Sequence, residues 1–138
     1  MQASCAARHG AGVLLVGPPG SGKSDLLLRL LDLSFMLVAD DRVEIEGGCA
    51  RPPAALAGLL EVRGLGIVRL PYIAPVRLSL VCQLGRWPER LPAPSRHVEL
   101  DLPLLAVDAL QLSAPQRIAL ALRCVLGQVP QLAGAFGP

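Results

Sequence analysis

The sequence predicts an α/β domain with a mixed, strand-rich sheet and only two or three helices. Three observations carry that expectation. An apolar run, Gly12 to Val16, leads into a glycine-rich loop and then into a segment with leucines at 26, 27, 30 and 31. Further along, short alternating segments outnumber helical ones. The chain has 138 residues, of which 52% are hydrophobic and 17% charged, which suits one domain with a real core and argues against disorder.

The elements follow in order. Gly12 to Val16 is continuously apolar, as expected of a strand buried on both faces. The leucines over Gly22 to Asp32 form a helical stripe. Phe35 to Ala39 reads as a second buried strand, ending at Asp40 and Asp41. Arg42 to Glu46 alternates and is expected to turn at Gly47-Gly48. Arg51 to Pro53 breaks the chain. Leu59 to Arg63 reads as a short strand before a flexible Gly64-Leu65-Gly66. Val76 to Gln83 alternates, with Val76, Leu78, Leu80 and Cys82 on one face. Arg86 to Arg96, rich in proline and arginine, reads as an exposed loop. His97 to Leu102 alternates again, as a strand would. Pro115 to Leu126 reads as a helix with Ser113 as N-cap, ended by Gly127 and Pro130. The tail, Leu132 to Pro138, is expected to fray. Residues 1–138 therefore read as a single domain, too poor in helices for a large P-loop NTPase with five or more crossover helices.

Composition narrows the function. A net charge of +2 with no basic run gives no sign of a nucleic-acid partner. Mean hydropathy is +0.50, yet no apolar run approaches the roughly 18–20 residues of a spanning helix, so no membrane role is expected. The start, MQASCAARHG, lacks a charged segment followed by an apolar core, so no signal peptide is expected. The cysteines, at 5, 49, 82 and 124, are too scattered for a zinc site and read as reduced thiols of a cytoplasmic protein. Surplus apolar surface is expected to be buried between subunits of a homo-oligomer.

The chemistry begins at the loop. Gly17 to Ser24, GPPGSGKS, fits G-x-x-x-x-G-K-[ST] and sits between an apolar strand and a helix, the context this phosphate-binding motif requires. The expected ligand is a nucleoside triphosphate, cradled by Gly17, Pro18, Pro19, Gly20, Ser21, Gly22, Lys23, Ser24 and Asp25. Loop N–H groups and the helix N-terminus face the phosphates. Lys23 reaches the β- and γ-phosphates, and the Ser24 hydroxyl is placed for Mg²⁺. Asp40 and Asp41 end the next strand. One carboxylate can serve the metal while the other acts as a base toward an incoming hydroxyl. Glu61 and Arg63, two apart on a strand, share a face; they suit metal and phosphate, or equally a surface ion pair.

The run GPPGSGKSDLLLRLLDLSFMLVADDRVEI, followed by LEVRGLGI, resembles the catalytic domain of HPr kinase/phosphorylase. That family has a phosphate loop, then a VADD strand end, then a Glu-containing RGLGI signature, and all three occur here in order from Gln2 to Ile67. The resemblance implies an HPr kinase/PEP carboxykinase-like core in the short form found in alphaproteobacteria, without the N-terminal domain of longer members. It implies ATP and Mg²⁺ as cofactors and, as substrate, a serine of HPr or a related phosphotransferase-system protein. It also implies the reverse reaction, in which phosphate removes the phosphoryl group as pyrophosphate, and a hexameric assembly.

Carried over by position, Asp41 becomes the acid/base residue and Asp40 supports metal and base. Lys23 neutralises the transferring phosphoryl group, and Ser24 and Glu61 hold metal. Arg90, in WPERLP, falls near an arginine of the family that acts at the transition state. The family also has a phosphate-contacting histidine ahead of the first strand; Gln2 stands there, with His9 out of register. Gln can donate a hydrogen bond but carries no charge, which puts the phosphorylase direction in question. His97 reads as a loop or strand-start residue. A small-molecule P-loop kinase and a non-catalytic ATP-sensing module are the alternatives. The Asp40-Asp41 pair favours an enzyme, since a sensor needs no spare carboxylate.

Overall fold

A computed structural model describes residues 1–137. Its main sheet has seven strands. Strand β1 (Ser4–Arg8) lies between β2 (Ala11–Val16) and β3 (Met36–Ala39), antiparallel to both. Strand β2 pairs in parallel with β8 (Val76–Leu84). The nine residues of β8 are long enough to hold two partners on its other edge. Strand β5 (Cys49–Arg51) takes the start, continued outward by β4 (Glu44–Glu46), and β9 (Leu104–Val107) takes the end in parallel. A separate hairpin pairs β6 (Leu59–Val62) with β7 (Gly66–Arg69). Helices α1 (Lys23–Leu31) and α2 (Ala114–Val125) and a 3-10 turn at Ala54–Leu56 complete the chain. The mixed, strand-rich sheet with few helices is the architecture expected from the sequence.

Strand alternation sends side chains to two buried layers, but an irregularity in β8, whose pairing steps from Leu78 opposite Gly12 to Leu80 opposite Val13, swaps its faces, so Val76 and Leu78 do not share a face with Leu80 and Cys82 as the sequence pattern predicts. Val13, Leu15, Leu80, Cys82 and Leu84 face α1 and α2, meeting Leu26, Leu27, Leu30, Ile118 and Leu122. Leu14, Val38, Val43, Ala50, Val76, Leu78 and Val81 form the opposite layer. Leu80 is wholly buried in the first layer. Leu80→Ala is expected to destabilise the fold by about 2–5 kcal/mol, read as a lower urea midpoint at unchanged slope.

Cysteines divide by depth. Cys5 and Cys82 are buried in the sheet; Cys49 and Cys124 are half-buried. Burial pushes the Cys5 thiol up to about 12 and raises Cys82 as well. Both folded values lie above the ordinary 9.0, so their stabilising effect is complete below that pH and is lost as pH rises through and beyond it. A thiol-specific reagent at mildly alkaline pH is expected to titrate Cys49 and Cys124 in the native protein, and Cys5 and Cys82 only on unfolding. Labelling of Cys5 at the native rate of Cys49 would contradict the packing of β1.

The structure corrects several details. His97 to Leu102 is a turn, not a strand: the Leu100 N–H donates to His97 Nδ1 at 3.1 Å, and the Asp101 N–H to the His97 carbonyl at 2.8 Å. Arg96 clamps the turn through Asp101 at 2.8 Å. The strand begins only at Leu104. Gly64-Leu65-Gly66 is a hairpin turn closed by the Leu65 N–H on the Val62 carbonyl at 3.0 Å. Ser113 occupies the N-cap of α2, but its hydroxyl accepts from Arg117 Nε at 2.8 Å instead of capping a backbone N–H. The tail is tied down, because the Phe136 N–H donates to Gln131 Oε1 and both Ala135 and Phe136 pack on the core. Pro138, the end of the segment expected to fray, lies outside the described residues. Among the described residues, no helix is long and apolar enough to cross a membrane.

Candidate active site

Because β2 and β8 run parallel, their carboxyl ends lie side by side, where α/β sheets place ligands. The glycine loop springs from the end of β2. At Gly17 an added Cβ would stand 2.7 Å from Ser21 Oγ and 3.1 Å from Leu84 Cβ, so only glycine allows this approach. Gly22 caps α1 at φ 96°, a left-handed conformation that turns the chain into the helix. The loop closes through the Ser21 N–H on the Pro18 carbonyl at 3.1 Å. Lys23 Nζ donates back to the carbonyls of Gly17 at 2.7 Å and Pro18 at 3.1 Å. The motif's cation is thus held on the loop itself. Ser21 Oγ is buried with no hydrogen-bond partner. An orphaned hydroxyl in a loop of this kind fits a phosphate oxygen.

The first turn of α1 meets the end of β3. Ser24 Oγ donates to Asp40 Oδ1 at 2.8 Å, and Ser4 Oγ donates to the same oxygen at 2.8 Å. The hydroxyl of Ser24 and the carboxylate of Asp40 are hard oxygen donors of the type Mg²⁺ takes. Asp41 follows in a tight bend with φ 68° and is exposed. Its carbonyl accepts from the Ala3 N–H at 3.1 Å, and the Arg42 N–H donates to the Asp40 carbonyl at 2.8 Å. Gln2 bridges to Arg42 and so sits at this acidic corner.

The remaining expected residues lie farther out. Asp25 is exposed and pairs along the helix with Arg29 at 3.1 Å, so its carboxylate is not held by the loop. Pro18, Pro19 and Gly20 form the exposed crown of the loop. Glu61 is exposed on β6, opposite Ile67, while its neighbour Leu60 enters the core. Among the described residues Glu61 shares no hydrogen bond with Ser24 or Asp40, and no three His, Cys, Asp or Glu side chains gather as a metal cluster. Arg63 is exposed beside the hairpin turn. Arg90 is exposed on the segment that leaves β8 at Gly85, where a Cβ would stand 3.5 Å from Pro18.

Two contacts had no clear sequence signal. Ser4 is a lone hydroxyl among small residues. Arg29 reaches across the chain to donate to the Ala109 and Gln111 carbonyls, fastening the segment after β9 behind α1. In addition, a Cβ at Gly22 would stand 3.3 Å from Ala109 Cβ. Spacing alone could not reveal either contact, since the partners are distant in sequence.

The geometry defines a class: an α/β protein with a glycine loop at a strand–helix junction and an acidic strand end hydrogen-bonded to the first helical turn. The chain belongs to the family described as HPr Serine kinase C-terminal domain, whose model matches residues 1–89. It is 38% identical over 146 aligned residues to an HPr kinase/phosphorylase of Burkholderia cenocepacia, covering 91% of this chain and 44% of that one. The same figures hold for an HPr kinase/phosphorylase of Paraburkholderia phymatum. The chain thus spans under half the length of these curated relatives. The solved Hpr(Ser) kinase/phosphatase from Coxiella burnetii superposes with a TM-score of 0.72 at 22% identity, covering 89% of this chain and 93% of that one, which establishes the shared fold.

Proposed function

We propose that residues 1–138 are a catalytic domain that uses ATP and Mg²⁺ to phosphorylate a serine of HPr, or of a related phosphotransferase-system carrier. In the reverse direction it removes that group with inorganic phosphate, releasing pyrophosphate. The observation that carries this reading is the 2.8 Å hydrogen bond from Ser24 to Asp40, with Asp41 next in the chain. It ties the helix behind the glycine loop to an acidic pair that can divide the work. The family membership and the names of its relatives supply the substrate.

In this reading the loop N–H groups and Ser21 bind the phosphates. Lys23 exchanges the Gly17 and Pro18 carbonyls for the transferring phosphoryl group. Ser24, Asp40 and Glu61, the last from the β6–β7 hairpin, would hold the metal, and Arg90, on the loop after β8, would neutralise charge at the transition state. Bound Mg²⁺ supplies charge neutralisation across the phosphates. The exposed carboxylate of Asp41 takes the proton of the serine hydroxyl as the serine oxygen bonds the γ-phosphorus and the bond to ADP breaks, and in reverse returns a proton to the serine oxygen as phosphate displaces it from phosphorus. A cytoplasmic homo-oligomer accords with the reading. Exposed apolar side chains such as Leu65, Ile67, Leu110 and Leu112 offer surface for subunit contacts.

The reversible part is tested with seryl-phosphorylated HPr and inorganic phosphate. Pyrophosphate released in step with loss of phosphoserine is the expected result. Release of free phosphate alone would contradict phosphorolysis. Replacing Gln2 by His reports on the uncharged residue at this corner, and a faster reverse rate is expected from the restored cationic contact. Small alcohols offered in place of HPr separate a protein kinase from a small-molecule kinase.

A further inference from the structure

We infer that Ser4 is a positioning residue for the metal-binding carboxylate, acting through Asp40; this rests on the assignment of Ser24 and Asp40 proposed above. Ser4 is the one wholly buried polar side chain among the described residues. It lies on β1, in register with Leu15 of β2, and is followed by Cys5, Ala6 and Ala7, all buried. A hydroxyl there needs a partner, and the side chain donates to Asp40 Oδ1 at 2.8 Å. Ser24 donates to the same oxygen at the same distance. Three elements therefore meet on one atom: β1 through Ser4, α1 through Ser24, and the end of β3 through Asp40.

The two hydroxyls are not equivalent. Ser24 is half-exposed, and its oxygen can turn its lone pairs to a cation while its O–H still donates to Asp40. Ser4 is sealed in the sheet and cannot reach a ligand. Its effect must pass through Asp40, whose carboxylate it holds in one rotamer before metal or nucleotide arrives. This is the arrangement of an outer-shell partner, which orients a ligand without touching the ion. A purely structural role would affect stability alone, whereas an orienting role affects the metal dependence of nucleotide binding.

The test measures binding of a fluorescent ADP analogue to wild type, Ser4→Ala and Ser4→Cys while Mg²⁺ is titrated. For Ser4→Ala the half-saturating Mg²⁺ is expected to rise about tenfold, with metal-free affinity for the analogue unchanged. Ser4→Cys keeps the volume with a weaker donor, moves in the same direction, and decides the question if the alanine variant fails to fold. A half-saturating Mg²⁺ within about twofold of wild type in the folded variant overturns the inference. Wild type that binds the analogue with no Mg²⁺ dependence, or does not bind it, overturns the assignment of Ser24 and Asp40 itself, and the inference with it.

Discussion

Asp41→Asn is expected to lower kcat for transfer to HPr by roughly 10²–10⁴-fold while leaving nucleotide affinity nearly unchanged. The side chain is exposed at the end of β3 and next to Asp40, free to meet an incoming hydroxyl. Asparagine retains the shape of aspartate but cannot accept the serine proton. It is also a fair replacement for the backbone. Asp41 sits at φ 68°, a left-handed conformation that Asp and Asn tolerate better than other side chains. The bend is held by main-chain bonds, from Ala3 to the Asp41 carbonyl and from Arg42 to the Asp40 carbonyl, which the substitution leaves in place. A lost rate at an unchanged unfolding midpoint therefore isolates the chemical role. Full activity in Asp41→Asn would remove the residue from catalysis.

Lys23→Met is expected to cost about 10²–10³-fold in kcat, because a fixed positive charge near the developing charge of the phosphoryl group is lost. The structure adds a second, smaller effect. In the free protein the ammonium holds the Gly17 and Pro18 carbonyls at 2.7 and 3.1 Å. Methionine cannot donate, so the crown of the loop loses two bonds that fix it, in a partly exposed setting where each contributes about 0.5–1.5 kcal/mol. Faster amide exchange confined to Gly20 and Ser21, with the midpoint of global unfolding little changed, is the expected signature. A large drop in global stability instead would mean that Lys23 serves the fold more than the phosphates.

The parts of the site that were legible in the sequence are local ones. The loop Gly17 to Ser24 and the leucine stripe of α1 announce themselves within one continuous stretch, as does the apolar run ending at Asp40-Asp41. The parts that were not legible depend on distant pairing. Strand β1 is built from Ser, Cys and two Ala before Arg8, without the β-branched residues that mark a strand, and its place between β2 and β3 is fixed only by registers such as Cys5 with Leu14 and Ala39. Ser4 could not be linked to Asp40 before that register was known. The alternation at His97 to Leu102 was overridden by side chain–backbone bonds that favour a turn. Gln131 and Phe136 tie down a tail whose composition gave no sign of it.

On the proposed function, the glycine loop and the Asp40-Asp41 corner form one site for transfer to a protein serine. The most direct test of that function is the mass and phosphoserine content of HPr after incubation with the wild-type chain, ATP and Mg²⁺. A single added phosphate on a serine of HPr, dependent on Mg²⁺ and lost in Asp41→Asn, is the expected result. ATP bound or hydrolysed with HPr left unmodified would contradict it.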